Sequence, residues 1–350
     1  MVRYAWCSLV FLAACPPKNG TQTPPPQPLA GPGCPGASDV YVVSYVTQEP
    51  GKGRSGWVLP LHAMKVEPGA DVPEYQPLDP AAATVSGVPA APTGPLWLVT
   101  GGTAAPCAVK LGTHYAAKID GPPASLSYGL ELDGCPAPAD PQDAGGVLLA
   151  SKDAPTGCQF QAPRPVAARL GQMNEQQKWV RPTQATPIPP AIVGAIPAHE
   201  CTAPACEQLW AIGQIEVANQ PVAWSGAVNW LATGDEASQC TWKAERFSGT
   251  FILGADGKPE RVTEGQDHPL VLSAALVDRS GAHVLLSEGP GEYATYDLVP
   301  GKATLGHHIT WMFAPNEAWD MVDHLGPLCE QPEAKPAPLP KDAKPQSPYP

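Results

Sequence analysis

Short runs of β-branched and aromatic residues recur along most of this chain, and turn residues separate them. The run 40–47, Val-Tyr-Val-Val-Ser-Tyr-Val-Thr, has Pro and Gly close to both ends. Such side chains fit a pleated sheet, whereas Pro and Gly interrupt it. About fourteen runs of this kind are present. They lie at 40–47, 57–66, 96–100, 107–111, 114–119, 126–132, 147–151, 209–217, 222–232, 240–253, 270–277, 283–288, 293–299 and 307–313.

The turns between these runs indicate hairpins. Asp256-Gly257 follows the run 250–253, and Arg279-Ser280-Gly281 precedes the run 283–286. Glycine accepts the positive φ that tight hairpin turns require. Short strands joined by frequent turns are typical of sandwiches and barrels. We therefore predict a mainly β protein of two β-sandwich or barrel-like halves, with one or two short helices.

The two helices are predicted from residue spacing and from capping residues. Val166, Leu170 and Met173 lie at helical spacing within 166–179, although a glycine weakens that segment. The segment 316–325 begins at an asparagine that can cap a helix, and Gly-Pro follows it.

Proline-rich segments flank the strand-rich region and also divide it. They contain few large apolar residues, so they bury too little surface to fold alone. The region 163–197, rich in Pro and Gln, resembles a connector between two domains. The predicted organisation is a signal peptide at 1–14, a tether at 15–37, β-rich domains at 38–162 and 198–330, the connector at 163–197, and a disordered tail at 331–350.

The first fifteen residues carry an export signature. Arg3 precedes a mostly apolar run that ends in Leu12-Ala13-Ala14-Cys15 and is too short to span a bilayer as a helix. These four residues resemble the lipobox of bacterial lipoproteins, which implies that Cys15 is lipidated and becomes the mature N-terminus. Cys7 lacks the small residues of a cleavage site because Trp6 precedes it. The alternative is a plain secretory leader, with Cys15 in a disulfide.

The remaining cysteines fit an oxidising compartment. The chain has ten cysteines, of which Cys7 lies in the leader and Cys15 is the predicted anchor. An even number in an exported chain indicates disulfides, and each half can close two bridges. The candidates are Cys34, Cys107, Cys135 and Cys158 in the first half, and Cys201, Cys206, Cys240 and Cys329 in the second.

The pair Cys201 and Cys206 lies close enough for a local bridge across a Pro-containing turn. A zinc site that adds His199 is the alternative, since imidazole and thiolate suit that metal. Thiols in an oxidising compartment more often form disulfides. We therefore predict no metal and no cofactor.

The net charge of the chain argues against nucleic acid as a partner. The formal net charge is −12, whereas binding to a phosphate backbone needs a basic surface. Nucleic acid is therefore not an expected partner. The expected partners are the membrane, through the lipid anchor, and a cell-wall glycan or another envelope protein.

Three sets of residues are candidates for a metal, catalytic or ligand-binding site. His307 and His308 are adjacent, so on a strand they face opposite sides and do not share a metal ion easily. Glu131 and Asp133 can share one face of a strand, although no partner across a cleft is apparent. Trp224 and Trp230 can also share a face, and are either core residues or a candidate ligand platform for sugars or peptides.

No motif for a catalytic nucleophile is present, although a serine triad assembled from distant residues stays open. We therefore assign no catalytic residue. The prediction is a membrane-anchored envelope lipoprotein that acts as a non-enzymatic binding or structural module, at the outer membrane on its periplasmic face or at the cell surface. The alternative is an envelope hydrolase or carbohydrate-active enzyme on a β scaffold.

Overall fold

The computed structural model describes most of the strand-rich region. The described residues are 33–46, 55–65, 75–78, 90–100, 105–119, 125–138, 145–169, 172–173, 179–180, 186–196, 205–233, 245–262, 270–289 and 291–312. The leader, Cys15, most of the tether, the tail and the predicted helix 316–325 lie outside these residues. His199, Cys201, Cys240 and Cys329 also lie outside them, and only the backbone of Cys206 is described.

Strands dominate the described residues, as the sequence predicts. The first seven are β1 (Val40–Val46), β2 (Gly56–Lys65), β3 (Tyr75–Leu78), β4 (Leu96–Thr100), β5 (Cys107–Ile119), β6 (Ser125–Asp133) and β7 (Gly145–Ala150). The others are β8 (Gln159–Gln161), β9 (Arg164–Arg169), β10 (Gln172–Met173), β11 (Trp179–Val180), β12 (Ala205–Val217), β13 (Gln220–Thr233), β14 (Glu245–Leu253), β15 (Pro259–Val262), β16 (Val271–Asp278), β17 (Gly281–Gly289), β18 (Glu292–Val299) and β19 (Lys302–Thr310). The helical elements are a 3-10 helix, Ala37–Asp39, and α1 (Pro190–Val193).

Six of the first seven strands close into a barrel. Pairing runs through β1, β2, β6, β5, β4 and β7 and returns to β1, while β3 pairs with β5. Closure depends on β5, which is thirteen residues long. Its first residues pair with β4, and the stretch from Lys110 onward pairs with β6, with a bulge between Leu111 and His114. Closure removes exposed strand edges, which otherwise invite aggregation.

The later strands form two five-stranded sheets. The outer sheet has the order β15, β14, β13, β12, β9, and the middle sheet has the order β19, β18, β17, β16, β8. Apolar residues of both sheets pack together between them, so the two sheets form a sandwich. This cluster includes Ile215, Ala223 and Ile252 from the outer sheet and Leu272, Leu285 and Tyr296 from the middle sheet.

The middle sheet is covered on both faces. Ala275 and Leu285 face the outer sheet, whereas Leu276 and Leu286 pack with residues of the barrel wall. This position explains the nearly continuous apolar sequence of β16, because a strand buried on both faces has no polar side to present. The fold is therefore three layers: barrel, middle sheet and outer sheet.

The region 163–197 differs from its predicted structure. Residues 164–169 form strand β9, which pairs with β12, so the predicted helix 166–179 is wrong. Pairing with the free edge of β12 outweighs a weak helical spacing interrupted by Gly171. Ile192 in α1 is fully buried against the outer sheet. Strand β9 and helix α1 therefore belong to the outer layer of the sandwich, whereas β10 and β11 pair with each other in a separate two-stranded sheet.

The predicted hairpin turns are confirmed. Gly257 has φ +74° between β14 and β15, and Gly281 has φ +142° between β16 and β17. A third turn, between β12 and β13, was not anticipated from the sequence. Its two residues, Ala218 and Asn219, both have positive φ, as a tight hairpin turn of this class requires.

Two disulfides link the four described cysteine side chains. Cys34 bonds Cys158 across a sequence separation of 124, and Cys107 bonds Cys135 across a separation of 28. This pairing agrees with two bridges inside the first half of the chain. Next to Cys34, Ala37 N donates to Asp297 Oδ1 at 2.7 Å, and Thr295 Oγ1 donates to the Ala37 carbonyl at 2.8 Å. The start of the body is therefore fastened to the middle sheet.

Candidate functional site: a pocket on the barrel wall

A pocket of about 110 Å³ lies on the outside of the barrel, over β2, β5 and β6 and the end of β1. Strand alternation explains much of its lining, because Leu59 and Leu130 point into the barrel core and their neighbours Val58 and Glu131 point outward. The lining residues are Tyr45, Val46, Ser55, Gly56, Trp57, Val58, Tyr115, Ala117, Glu131, Leu132, Asp133, Gly134, Cys135 and Ala137.

Two glycines shape this part of the wall in different ways. A Cβ on Gly129 would lie 2.7 Å from the Tyr115 hydroxyl oxygen and would also press on the Leu59 carbonyl. Only glycine therefore lets the Tyr115 ring lie across the wall there. A Cβ on Gly56 would meet nothing within 4 Å. The space above Gly56 is thus part of the pocket.

The rim of the pocket is held by covalent and hydrogen bonds. The disulfide from Cys107 fixes Cys135, which lines the pocket just beyond the end of β6. The Trp57 indole Nε1 donates to the Pro136 carbonyl at 3.0 Å, and its ring meets Tyr45 edge-on at 5.3 Å between centroids. These contacts restrain the segment after β6, so the pocket has a preformed shape.

Acidic and apolar groups share the lining. Among the described residues, this lining includes two carboxylates, Glu131 and Asp133, and no basic side chain. Val46, Val58 and Ala117 form a small apolar group beside them with the Tyr115 ring. Their spacing predicts that both carboxylates can share one face of one strand, and both line this pocket. The aromatic and glycine residues around them were not predicted, although a glycine within a strand often signals a close approach of this kind.

The two described carboxylates of the pocket do not show the opposed arrangement that glycoside cleavage uses. Glycoside hydrolysis needs two carboxyl groups on opposite sides of the scissile bond. Glu131 and Asp133 stand side by side, two residues apart on β6, and among the residues that the structure describes no other Asp or Glu lines the pocket opposite them. A pocket of about 110 Å³ is also smaller than sites that enclose a drug-sized ligand, which are about 300–1,000 Å³.

A serine, a histidine and an aspartate meet at the hairpin between β16 and β17. Ser280 Oγ lies 2.9 Å from His283 Nε2, and Asp278 Oδ1 lies 2.6 Å from the same nitrogen. A catalytic triad requires the serine and the aspartate on opposite ring nitrogens. Asp278 Oδ1 also accepts bonds from Ser280 N and Oγ, both at 2.7 Å. This set is therefore a network that holds the turn.

The same network acts on the charge of Asp278. Burial opposes ionisation, but hydrogen bonds from Ser280 and His283 and the charge of His283 outweigh it and lower the pKa of Asp278 to about 2. The carboxylate therefore stays ionised throughout the physiological range.

The adjacent histidines have separate partners, as strand alternation predicts. His308 Nε2 contacts Glu292 Oε2 at 2.7 Å. His307 lies on the barrel side, where its ring approaches Tyr41 and Tyr293 with centroid distances of 4.7 and 5.9 Å. Burial lowers the pKa of His307 to about 4. Among the residues that the structure describes, no three His, Cys, Asp or Glu side chains form a group that could hold a metal ion.

The candidate aromatic platform does not form at Trp224. This side chain is 1% exposed and packs with Ile192 and Ile212 on the outer sheet. Its Nε1 donates to Gln214 Oε1 at 2.9 Å. A ring covered in this way offers no free face to a ligand. The backbone of Trp230 pairs with Gln208 and Glu245, but its side chain lies outside the described residues.

Comparisons with known proteins find no relative of this chain. No protein-family model matches the chain, and no match is found among the curated proteins or the solved structures. A search of the described ranges for a helix with the length and apolarity to cross a membrane also finds none.

Proposed function

We propose that this chain is a membrane-anchored envelope lipoprotein whose β-rich body is a non-enzymatic binding or structural module. The observation that carries the proposal is the pair of disulfides, Cys34–Cys158 and Cys107–Cys135. Disulfides persist in oxidising compartments and are rare in the cytosol. They support export, which the lipobox-like sequence ending at Cys15 also indicates.

The proposed location is the outer membrane, on its periplasmic face or at the cell surface. Acyl chains contribute about 0.8 kcal/mol per buried CH₂, so several chains on Cys15 anchor the protein stably. A proline-rich tether extends about 3.1 Å per residue and holds the body away from the bilayer. The bridge at Cys34 and the bonds around Ala37 begin where this tether ends. A pull on the anchor is thus transmitted to the middle sheet.

Binding is favoured over hydrolysis by the arrangement of the polar groups. The carboxylates of the barrel pocket stand on one strand, and no Asp or Glu opposes them among the described residues of the lining. The serine, histidine and aspartate of the β16–β17 turn meet at a single imidazole nitrogen. The proposed partners of the module are a cell-wall glycan or another envelope protein.

Metabolic labelling with a fatty acid in a bacterial host tests the anchor. Wild type and the matched control Cys7→Ala should be labelled and should sediment with membranes. Cys15→Ala should lose the label, because the acylated thiol is gone. Equal labelling of wild type and Cys15→Ala, or a labelled product that depends on Cys7, would overturn the proposal.

A further inference from the structure

The chain enters and leaves the barrel at one place. Strand β1 begins at Val40 and strand β7 ends at Ala150, and all seven strands of the barrel sheet lie between these two residues. Because β1 and β7 pair antiparallel, with Val40 opposite Leu149, the first residue of β1 lies beside the last residues of β7. The barrel is therefore one excursion of the chain whose two ends are neighbours.

The bridge Cys34–Cys158 joins the chain across these two ends. Cys34 precedes β1, and Cys158 follows β7 and comes directly before β8. The bridge thus closes a covalent loop that contains the whole barrel and also the second bridge, Cys107–Cys135. A pull from the N-terminal side reaches β8, the first strand of the middle sheet along the chain, through the sulfur atoms of Cys34 and Cys158. It passes through no strand of the barrel.

We propose that Cys34–Cys158 is a tension-bearing bridge, which diverts a pull on the membrane anchor past the barrel and into the middle sheet. This inference rests on the proposed anchor at Cys15, because the anchor supplies tension from the N-terminal side. The bridge keeps the seam between β1 and β7 closed while the tether is pulled.

The seam between β1 and β7 is weak in the direction of this pull. If the bridge is removed, tension draws the start of β1 away from the end of β7, at the same end of an antiparallel pair. Five residue pairs form the seam, from Val40 opposite Leu149 to Ser44 opposite Gly145. Their ladder of hydrogen bonds then opens one step after another. Bonds that open in sequence resist less force than bonds that share the load.

The surroundings of the bridge suit a point of attachment. Cys158 is 4% exposed and belongs to a cluster with apolar residues of β16 and β17. Ala37 is fully buried and is hydrogen-bonded to Thr295 and Asp297 on β18. A Cβ on Gly306 of β19 would lie 2.5 Å from the Ala37 Cβ, so the β19 backbone packs directly on this segment. Tension that arrives at the bridge is therefore spread over four strands of the middle sheet.

Single-molecule stretching of the full oxidised chain, with a handle at each end, tests the proposal. The double variant Cys34→Ser with Cys158→Ser should open its barrel as the first event, at a lower force than the first event of wild type. Fully stretched, this variant should be longer than wild type by about 330 Å. The separation of 124, less the 28 that Cys107–Cys135 keeps closed, extends at about 3.4 Å per residue.

The second bridge provides a matched control. Cys107–Cys135 lies inside the closed loop, so tension along the chain does not cross it. The double variant Cys107→Ser with Cys135→Ser should therefore have the stretched length of wild type, and its first event should occur at the wild-type force. The two bridges differ in this respect only because of where they lie along the path of tension.

Three outcomes overturn the proposal. The first is an equal stretched length for wild type and the Cys34→Ser, Cys158→Ser variant, and the second is a control variant longer than wild type. The third is a barrel step that appears in the Cys34→Ser, Cys158→Ser variant only after the sandwich has opened. The barrel step is recognised by its size, about 330 Å.

A second measurement decides if the Cys34→Ser, Cys158→Ser variant does not fold. Oxidised wild type is held at a constant force below its first event, and dithiothreitol is added until Cys34 and Cys158 react with maleimide. The barrel should then be released in a step of at least about 330 Å, and labelling without this step contradicts the proposal. Failure here leaves the fatty-acid label on Cys15 untouched. Loss of that label leaves the stretching results untouched, so the two failures are distinguishable.

Discussion

The imidazole of His307 on β19 packs against the ring of Tyr41 on β1, with the centroids 4.7 Å apart and the planes tilted by 31°. Tyr41 belongs to the barrel and His307 to the middle sheet, so this contact joins two layers of the fold. Tyr293, whose pKa is raised by burial, covers the histidine from β18. The junction is therefore aromatic, largely dry and sensitive to charge.

Acid should weaken this junction. Burial lowers the pKa of His307 from 6.5 to about 4, so below pH 6.5 the unfolded chain binds the proton more readily than the folded chain. The free energy of unfolding should fall between pH 6.5 and pH 4, by about 1–3 kcal/mol after allowing for partial exposure of the ring. Urea denaturation of wild type and His307→Gln across this range measures the effect. A variant with the same pH slope as wild type would contradict the assignment.

Asp278 should stabilise the β16–β17 turn without any catalytic role. Asp278→Ala removes an acceptor that bonds Ser280 and His283 and should cost about 1–3 kcal/mol of unfolding free energy at pH 7. The contribution exists above the ordinary pKa of 3.8 and is lost as pH falls towards the folded value of about 2. Denaturation at pH 7 and pH 2 tests this. Equal losses at both pH values would show that the charge is irrelevant.

The two disulfides should differ in their contribution to stability. The Cys34–Cys158 bridge closes a loop with a sequence separation of 124, and the Cys107–Cys135 bridge closes one of 28. The longer loop removes more conformational entropy from the unfolded chain. The loop-entropy relation gives about 5 and about 4 kcal/mol respectively. Denaturation of the double variants Cys34→Ser with Cys158→Ser, and Cys107→Ser with Cys135→Ser, measures the difference. Modification of these four thiols by maleimide in the unreduced exported protein would refute the pairing itself.

Gly129 and Gly56 form a matched pair on the barrel wall. Gly129→Ala places a methyl group 2.7 Å from the Tyr115 hydroxyl oxygen and should destabilise the fold by about 1–3 kcal/mol. Gly56→Ala enters open space and should be neutral or stabilising by up to about 1 kcal/mol, because glycine weakens a strand interior. Thermal unfolding of both variants is the measurement. If the two alanines behave alike, Tyr115 does not lie across Gly129.

Local patterns predicted the parts of the fold that depend on neighbouring residues. The run 40–47 contains β1, and the turns at Gly257 and Gly281 were anticipated, since strand alternation and turn chemistry act over a few residues. The helix predicted over 166–179 was wrong because the beginning of this segment pairs with β12, a strand that starts more than thirty residues later.

The candidate site could be predicted only in part for the same reason. The spacing of Glu131 and Asp133 placed them on one face, which the pocket lining bears out. Tyr115 lies on the preceding strand, β5, and Val46 lies much earlier in the chain, on β1; both come beside the acids because β1, β2, β6 and β5 pair side by side. From the sequence, Trp224 could be a core residue or part of a ligand platform; the structure shows it buried by the outer sheet and Ile192.

The amino-acid sequence by itself determined the mainly β class, the tight turns, the acidic surface charge and the cysteine content of each half, because these depend on residue type and short-range spacing. The tertiary structure alone decided that β5 closes the barrel, that β16 lies between two layers and that two carboxylates stand beside an apolar pocket. Each of these features needs strands distant along the chain to meet, and the free energy of that meeting comes from burial and pairing, which no local segment specifies.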